Sequence, residues 1–196
     1  MSETLASLVS SRICHDLISP IGSINNGIEL LNLTGGPASE EIDLISESAM
    51  AASSRILFFR TAYGRALPHQ TISAKEVRTV LDSLARQSKH KFEWHSRSEL
   101  SRREAKAALL AIQCLESCLI ANGSIEIHEV DTSWTMVAFG ESIDTNMSLW
   151  ETVANPHSDR DFTSAEVQFV LLAQTLKTMN RKFIYHSASN KLTISF

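Results

Sequence analysis

The chain has 196 residues, 43% hydrophobic and 20% charged, with a formal net charge of −4. This is the make-up of an ordinary globular protein, long enough for one large domain or two small ones, and it argues against intrinsic disorder. The acidic balance argues against a nucleic-acid binder, whose face would be basic; Arg102, Arg103 and Lys106 form only a short cluster.

A first helix is expected from about Thr4 to Leu33. Val9, Ile13, Leu17, Ile21, Ile24, Ile28 and Leu31 recur in steps of three and four, a stripe suited to coiled-coil-like packing. At about 100° per residue, His15, Ser19, Gly22 and Asn26 project together on the opposite side, facing solvent. Pro20 removes the donor for the Asp16 carbonyl, so a kink below His15 is expected. Thr34 to Ala38 supplies a helix stop, and a second helix opens at Ser39 and runs to about Arg65. Its stripe is Ile42, Ile45, Ala49, Ala52, Ile56, Phe59 and Tyr63, and its acidic first half and arginine-bearing second half complement the helix dipole. The short connection makes the two helices antiparallel neighbours. Leu44, Met50, Leu57 and Phe58 add apolar surface beyond what one partner helix covers. A homodimer that completes a four-helix bundle is expected, with covering by the chain's own second half as the competing explanation.

Leu67 to Thr71 reads as a linker, dividing a helical hairpin (residues 1–67) from a mixed second half (residues 71–196). Ser73 caps a helix to about Ser88, Lys91 to His95 is a strand, and Ser101 caps a buried helix to about Ala121. Strands Ser124–Val130 and Ser133–Phe139 follow, joined through Asp131-Thr132, then a helical turn from Met147 to Val153. A helix from Thr163 to about Thr178 and a closing hairpin, Arg181–His186 with Lys191–Phe196, complete the chain. Helices on one side of mostly antiparallel strands make an α/β sandwich, so the fold class is α+β.

No apolar run nears the roughly 18 residues of a membrane span, and no basic segment precedes an apolar run at the N-terminus, so a cytoplasmic protein is expected. Cys14, Cys114 and Cys118 complete neither a disulfide framework nor a zinc ligand set, and are expected to be reduced core thiols.

The run His15-Asp16-Leu17-Ile18-Ser19-Pro20 resembles the H-box of two-component histidine kinases. Extended to Leu31, with its Asn-Asn-Gly-Ile-Glu-Leu-Leu, it is similar to the ChpT-type histidine phosphotransferases of alphaproteobacteria, which are dimeric phosphorelay proteins built like a kinase core but without ATP chemistry. The second half resembles, in element order, the ATP-binding lobe of the histidine kinase and gyrase-type ATPases. It departs from that lobe where chemistry is needed. Ile112 and Glu116 stand at the Asn positions, and Gly140-Glu141-Ser142-Ile143-Asp144 offers a single glycine where Asp-x-Gly-x-Gly is expected. No nucleotide site and no cofactor are therefore expected.

The resemblance implies that His15 accepts a phosphoryl group from the Asp of a hybrid kinase's receiver and passes it to the Asp of response-regulator receivers, which bring the magnesium. Asp16 would then accept a hydrogen bond from the other ring nitrogen, and Ser19 matches a polar H-box position that assists dephosphorylation. Arg12, one turn before His15, is placed to offset phosphoryl charge. The small face of Ser19, Gly22 and Asn26 would admit the receiver closely. A lone surface His is usually inert, and His69, His90, His95, His128, His157 and His186 are read so; the His-Asp-x-x-x-Pro context sets His15 apart. Two other functions compete: an ATP-dependent kinase core using the same His15, and a non-catalytic receiver-binding scaffold that needs no His15.

Overall fold

The computed structural model describes residues 4–34, 39–86, 88–96, 99–130, 133–144, 146–155 and 160–196. The helix stop expected at residues 35–38 and the Asp131-Thr132 connection lie outside them. Helix α1 (Leu5–Thr34) runs unbroken through Pro20, and α2 (Ser39–Ala62) packs antiparallel to it. Glu40 and Glu41 in the first turn of α2 and Arg60 in its last complement the dipole. The helices approach closely at Gly27, which is buried: a Cβ there would lie 2.6 Å from Ile45 Cγ1.

Within this chain the apolar stripes are only half covered. Ile21, Ile28, Ile42 and Ile56 are exposed, together with Ile18 and Met50, while Leu8, Ser48, Ala52 and Ser54 are buried. Cys14, expected in the core, is exposed: it sits on this uncovered flank of α1. Helix α2 ends at Ala62, three residues before the expected Arg65, and carbonyls in and just past its last turn find side-chain donors. Lys106 Nζ donates to Gly64 O at 2.8 Å, and an Arg102 guanidinium nitrogen to Arg60 O at 3.0 Å.

The second half begins with a feature the hydrophobic pattern does not reveal. Strand β1 (Thr71–Ser73) pairs antiparallel with β3 (Glu99–Ser101), and each strand ends in the N-cap of a helix. Ser73 caps α3 (Ala74–Ala85) with Glu76 in a capping box, and Ser101 caps α4 (Arg102–Cys118) with Glu104 in another. Strands of three residues are too short to show a period.

Strands β2 (His90–His95), β4 (Gly123–Val130), β5 (Ser133–Gly140), β6 (Ile184–Ala188) and β7 (Lys191–Ser195) form one sheet in the order β2-β4-β5-β7-β6. The β2–β4 pair is parallel and the others antiparallel. Alternate residues Ile125 and Ile127, Trp134, Met136 and Ala138, and Leu192 and Ile194 are buried, as a half-covered sheet requires. Helix α4, buried along Ala107–Leu115, runs through the middle of the core. Helices α5 (Met147–Ala154) and α6 (Val167–Thr178) complete the helical layer, with Trp150 edge-on to Phe169 and stacked on Phe183. The fold is thus α+β, a helical hairpin followed by an α/β sandwich. No described helix is long and apolar enough to cross a membrane.

Candidate phosphotransfer site

The side of α1 away from the core carries His15, whose side chain is 84% exposed. Ser19 and Asn26, one and three turns further on, are exposed too, and Gly22 between them is half-buried with nothing within 4 Å of where a Cβ would stand. The helical projection therefore places these four residues correctly along one accessible strip.

Asp16, the next residue, turns the other way: its side chain is only 8% exposed. Its two oxygens divide the work. Oδ1 lies 3.1 Å from His15 Nδ1, and Oδ2 accepts from Arg12 Nε at 2.8 Å. A carboxylate at Nδ1 favours the tautomer that keeps the proton there and leaves the Nε2 lone pair facing solvent. Arg12 also reaches across the fold, donating to the Ala165 carbonyl at 3.2 Å in the short 3-10 turn (Ser164–Glu166) that precedes α6. Its guanidinium is thus engaged by Asp16 and by the second half of the chain.

Nothing in the sequence pattern singles out Arg55. This residue of α2 brings a guanidinium nitrogen to 3.9 Å from Asp16 Oδ2. It lines a cleft of about 610 Å³ with Asp16, Ser19, Ser23, Glu47, Ser54 and Arg86, the last from the C-cap of α3. In the sequence Arg55 registered only as one of several basic residues suited to the C-terminal half of a helix. Its place opposite Asp16 follows from the hairpin register, which periodicity alone does not set.

In the second half, Ile112 is fully buried, and Glu116 accepts a hydrogen bond from Ser88 Oγ at 2.8 Å. The 140–144 loop folds back on the end of α4: Leu119 bridges Ile143, and Asp144 N donates to Cys118 O at 2.8 Å. Those positions therefore serve packing and strand-like pairing. Among the described residues no group of three or more His, Cys, Asp or Glu is arranged to hold a metal ion.

An exposed imidazole with a buried carboxylate at its Nδ1 thus lies on the helical hairpin, with the α/β sandwich beside it. Residues 74–191 match the family described as histidine phosphotransferase C-terminal domain, and the chain belongs to that family. Over 122 residues it is 40% identical to protein phosphotransferase ChpT of Brucella abortus (strain 2308), a match that covers 62% of this chain and 56% of that relative. The chain thus matches little more than half the length of that curated protein. A solved structure described as a bacterial phosphotransferase superposes with a TM-score of 0.80 at 27% identity, covering 97% of this chain and 94% of the other.

Proposed function

We propose that the chain is a histidine phosphotransferase of a two-component phosphorelay, with His15 as the phosphoryl carrier. The observation that carries this reading is the geometry of His15: an open Nε2 on an exposed ring whose Nδ1 faces the Asp16 carboxylate. Nε2 attacks the phosphorus of a receiver's aspartyl phosphate, the N–P bond forms, and the receiver's carboxylate leaves. Asp16 stabilises the imidazolium produced by accepting the hydrogen bond from Nδ1–H. In the second transfer a carboxylate oxygen of another receiver attacks the same phosphorus and Nε2 leaves. Each receiver would supply its own magnesium to offset phosphoryl charge, so on this reading the chain itself needs no cofactor and no ATP.

Residues 1–67 serve as the dimerisation and phosphotransfer unit and residues 71–196 as a second unit without nucleotide chemistry. Two copies join through the uncovered flanks of α1 and α2, and exposed Ile18, Ile21, Ile28, Met50 and Ile56 support this, since a monomer rarely leaves so many large apolar residues in water. The receivers, in the cytoplasm, dock along Ser19, Gly22 and Asn26, where small side chains let backbones approach.

The test is incubation with a phosphorylated receiver, followed by analysis for acid-labile label. Wild type is expected to take up label, and His15→Gln to take up none while keeping its far-UV circular dichroism spectrum. Label that survives in His15→Gln sinks the reading. Label acquired directly from magnesium-ATP would favour the kinase core instead, and receiver binding without any label would favour the scaffold.

A further inference from the structure

Resting on the reading of His15 as phosphoryl carrier, we infer that Arg55 is the cation that faces the transferring phosphoryl group, and that Arg12 is a positioning residue acting through Asp16.

Charge around Asp16 supports this assignment. Its carboxylate already has a full partner in Arg12, at hydrogen-bond distance with Nε as donor. Arg55, at 3.9 Å, is beyond that distance, so Asp16 makes no hydrogen bond with it. The cleft lining holds two carboxylates, Asp16 and Glu47, and two guanidiniums, Arg55 and Arg86; Arg12, which does not line it, is the nearer partner of Asp16 at 2.8 Å. With Asp16 hydrogen-bonded by Arg12, Arg55 keeps only the longer 3.9 Å approach to it and can pair with an arriving anion.

Availability separates the two arginines. Arg12 Nε is held by Asp16 and another of its nitrogens by the Ala165 carbonyl, and turning toward a phosphoryl group would break both bonds. Arg55 is 34% exposed, sits opposite Asp16 on the facing helix, and opens into the same cleft as Ser19, one turn from His15 on the His15 face. Its long side chain ends in a planar donor fork suited to a phosphoryl group at that cleft.

The chemistry asks for such a cation. As the bond from phosphorus to the receiver's carboxylate breaks and the bond to Nε2 forms, negative charge spreads over the equatorial phosphoryl oxygens. The departing carboxylate carries the rest. The proton on Nδ1 stays there, shared with Asp16, so no proton need move. A receiver's magnesium would offset part of this charge, and a guanidinium on the carrier can offset more of it.

The experiment uses the full-length protein and phosphoramidate as donor, because a small donor makes no docking contacts. The readout is the rate of His15 phosphorylation in wild type, Arg55→Gln, Arg55→Lys and His15→Gln, with thermal unfolding of each. Arg55→Gln is expected to slow labelling about 10- to 100-fold, the range for a charge-assisted hydrogen bond made mainly in the transition state. Arg55→Lys is expected to recover part of the loss, with unfolding midpoints close to wild type for both. Equal rates in wild type and Arg55→Gln overturn the inference. So does a loss of the same size in Gln and Lys variants accompanied by lowered unfolding midpoints, since Arg55 would then act by holding the hairpin together. Failure of wild type itself to be labelled, or labelling of His15→Gln, overturns the underlying reading of His15 and is distinct from either result.

Discussion

Gly22 and Gly27 lie on the same helix five residues apart, and the same substitution is expected to have opposite signs at the two. At Gly22 a new Cβ meets nothing within 4 Å, so alanine gains only helix propensity, about 1 kcal/mol. At Gly27 the Cβ would lie 2.6 Å from Ile45 Cγ1 and 3.5 Å from the Glu41 carbonyl. Ile45 must give way or the helices must separate. Overpacking of this kind costs about 1–3 kcal/mol, which exceeds the propensity gain and leaves a net loss of about 1 kcal/mol. In a chain of this size that difference moves the unfolding midpoint by about 2–4 °C per kcal/mol, up for Gly22→Ala and down for Gly27→Ala. Urea unfolding of both variants reads the effect directly. Combining Gly27→Ala with Ile45→Ala removes the clashing carbon, so the pair should be less harmful than the sum of the singles by about 1–2 kcal/mol. If Gly27→Ala stabilises as much as Gly22→Ala, the close approach of α1 and α2 at Ile45 is refuted.

Asp16→Asn keeps the shape of the side chain but removes the charge shared by His15 and Arg12; phosphoramidate labelling is expected to fall at least about tenfold, with unfolding at lower denaturant, and unchanged labelling would exclude an orienting role. Stability should fall as pH rises past 9 toward 12. Burial raises the Cys118 thiol from 9.0 to about 12 and the Tyr63 phenol from 10.0 to about 12, so the folded chain keeps protons that the unfolded chain releases. Each such group contributes a loss of about 1.4 kcal/mol per pH unit within its window, and Tyr63→Phe should flatten the decline above pH 10, as measured by urea titrations at stepped pH. Ile56→Glu, at a side chain 55% exposed in the single chain, should leave the fold intact and turn a dimer into monomers in light scattering; an unchanged mass would place the dimer contact elsewhere. Gly22→Arg should fold normally yet slow transfer from a phosphorylated receiver, with phosphoramidate labelling retained, because the added bulk obstructs docking and leaves the nucleophile alone.

Much of this architecture was legible in the chain because strong local signals and hydrophobic period agree. Ser73 and Ser101, each followed three residues later by Glu, mark the starts of α3 and α4, and both caps form as read. The five strands of the main sheet fall within a few residues of their alternating runs. The exposed strip of His15, Ser19 and Asn26 follows from angular projection alone. Illegible features depend on distance in sequence. The β1–β3 ribbon pairs residues nearly thirty apart through strands too short for a period. Arg12 looked like a free cation because its second partner is a backbone carbonyl at Ala165, and backbone carbonyls leave no trace in composition. Arg55 faces Asp16 only once Gly27 and Ile45 fix the hairpin's register: eleven residues back along α1 from Gly27 is Asp16, and eleven forward along α2 from Ile45 is Ile56, beside Arg55. The flank on which Cys14 sits points to the core, but that flank lacks a cover within one chain.

The hydrogen bond from Arg12 to Ala165 joins positions 153 residues apart. During synthesis at about 5–20 residues per second, roughly 5–20 s pass between the emergence of the hairpin and that of its distant anchor. Over that interval a nascent chain already presents His15, while Arg12 has Asp16 as its partner but no hold on the second half. The hold on Arg12 is therefore completed only once residue 165 has left the ribosome, and a chain truncated before it carries a His15 whose Asp16–Arg12 support is incompletely set.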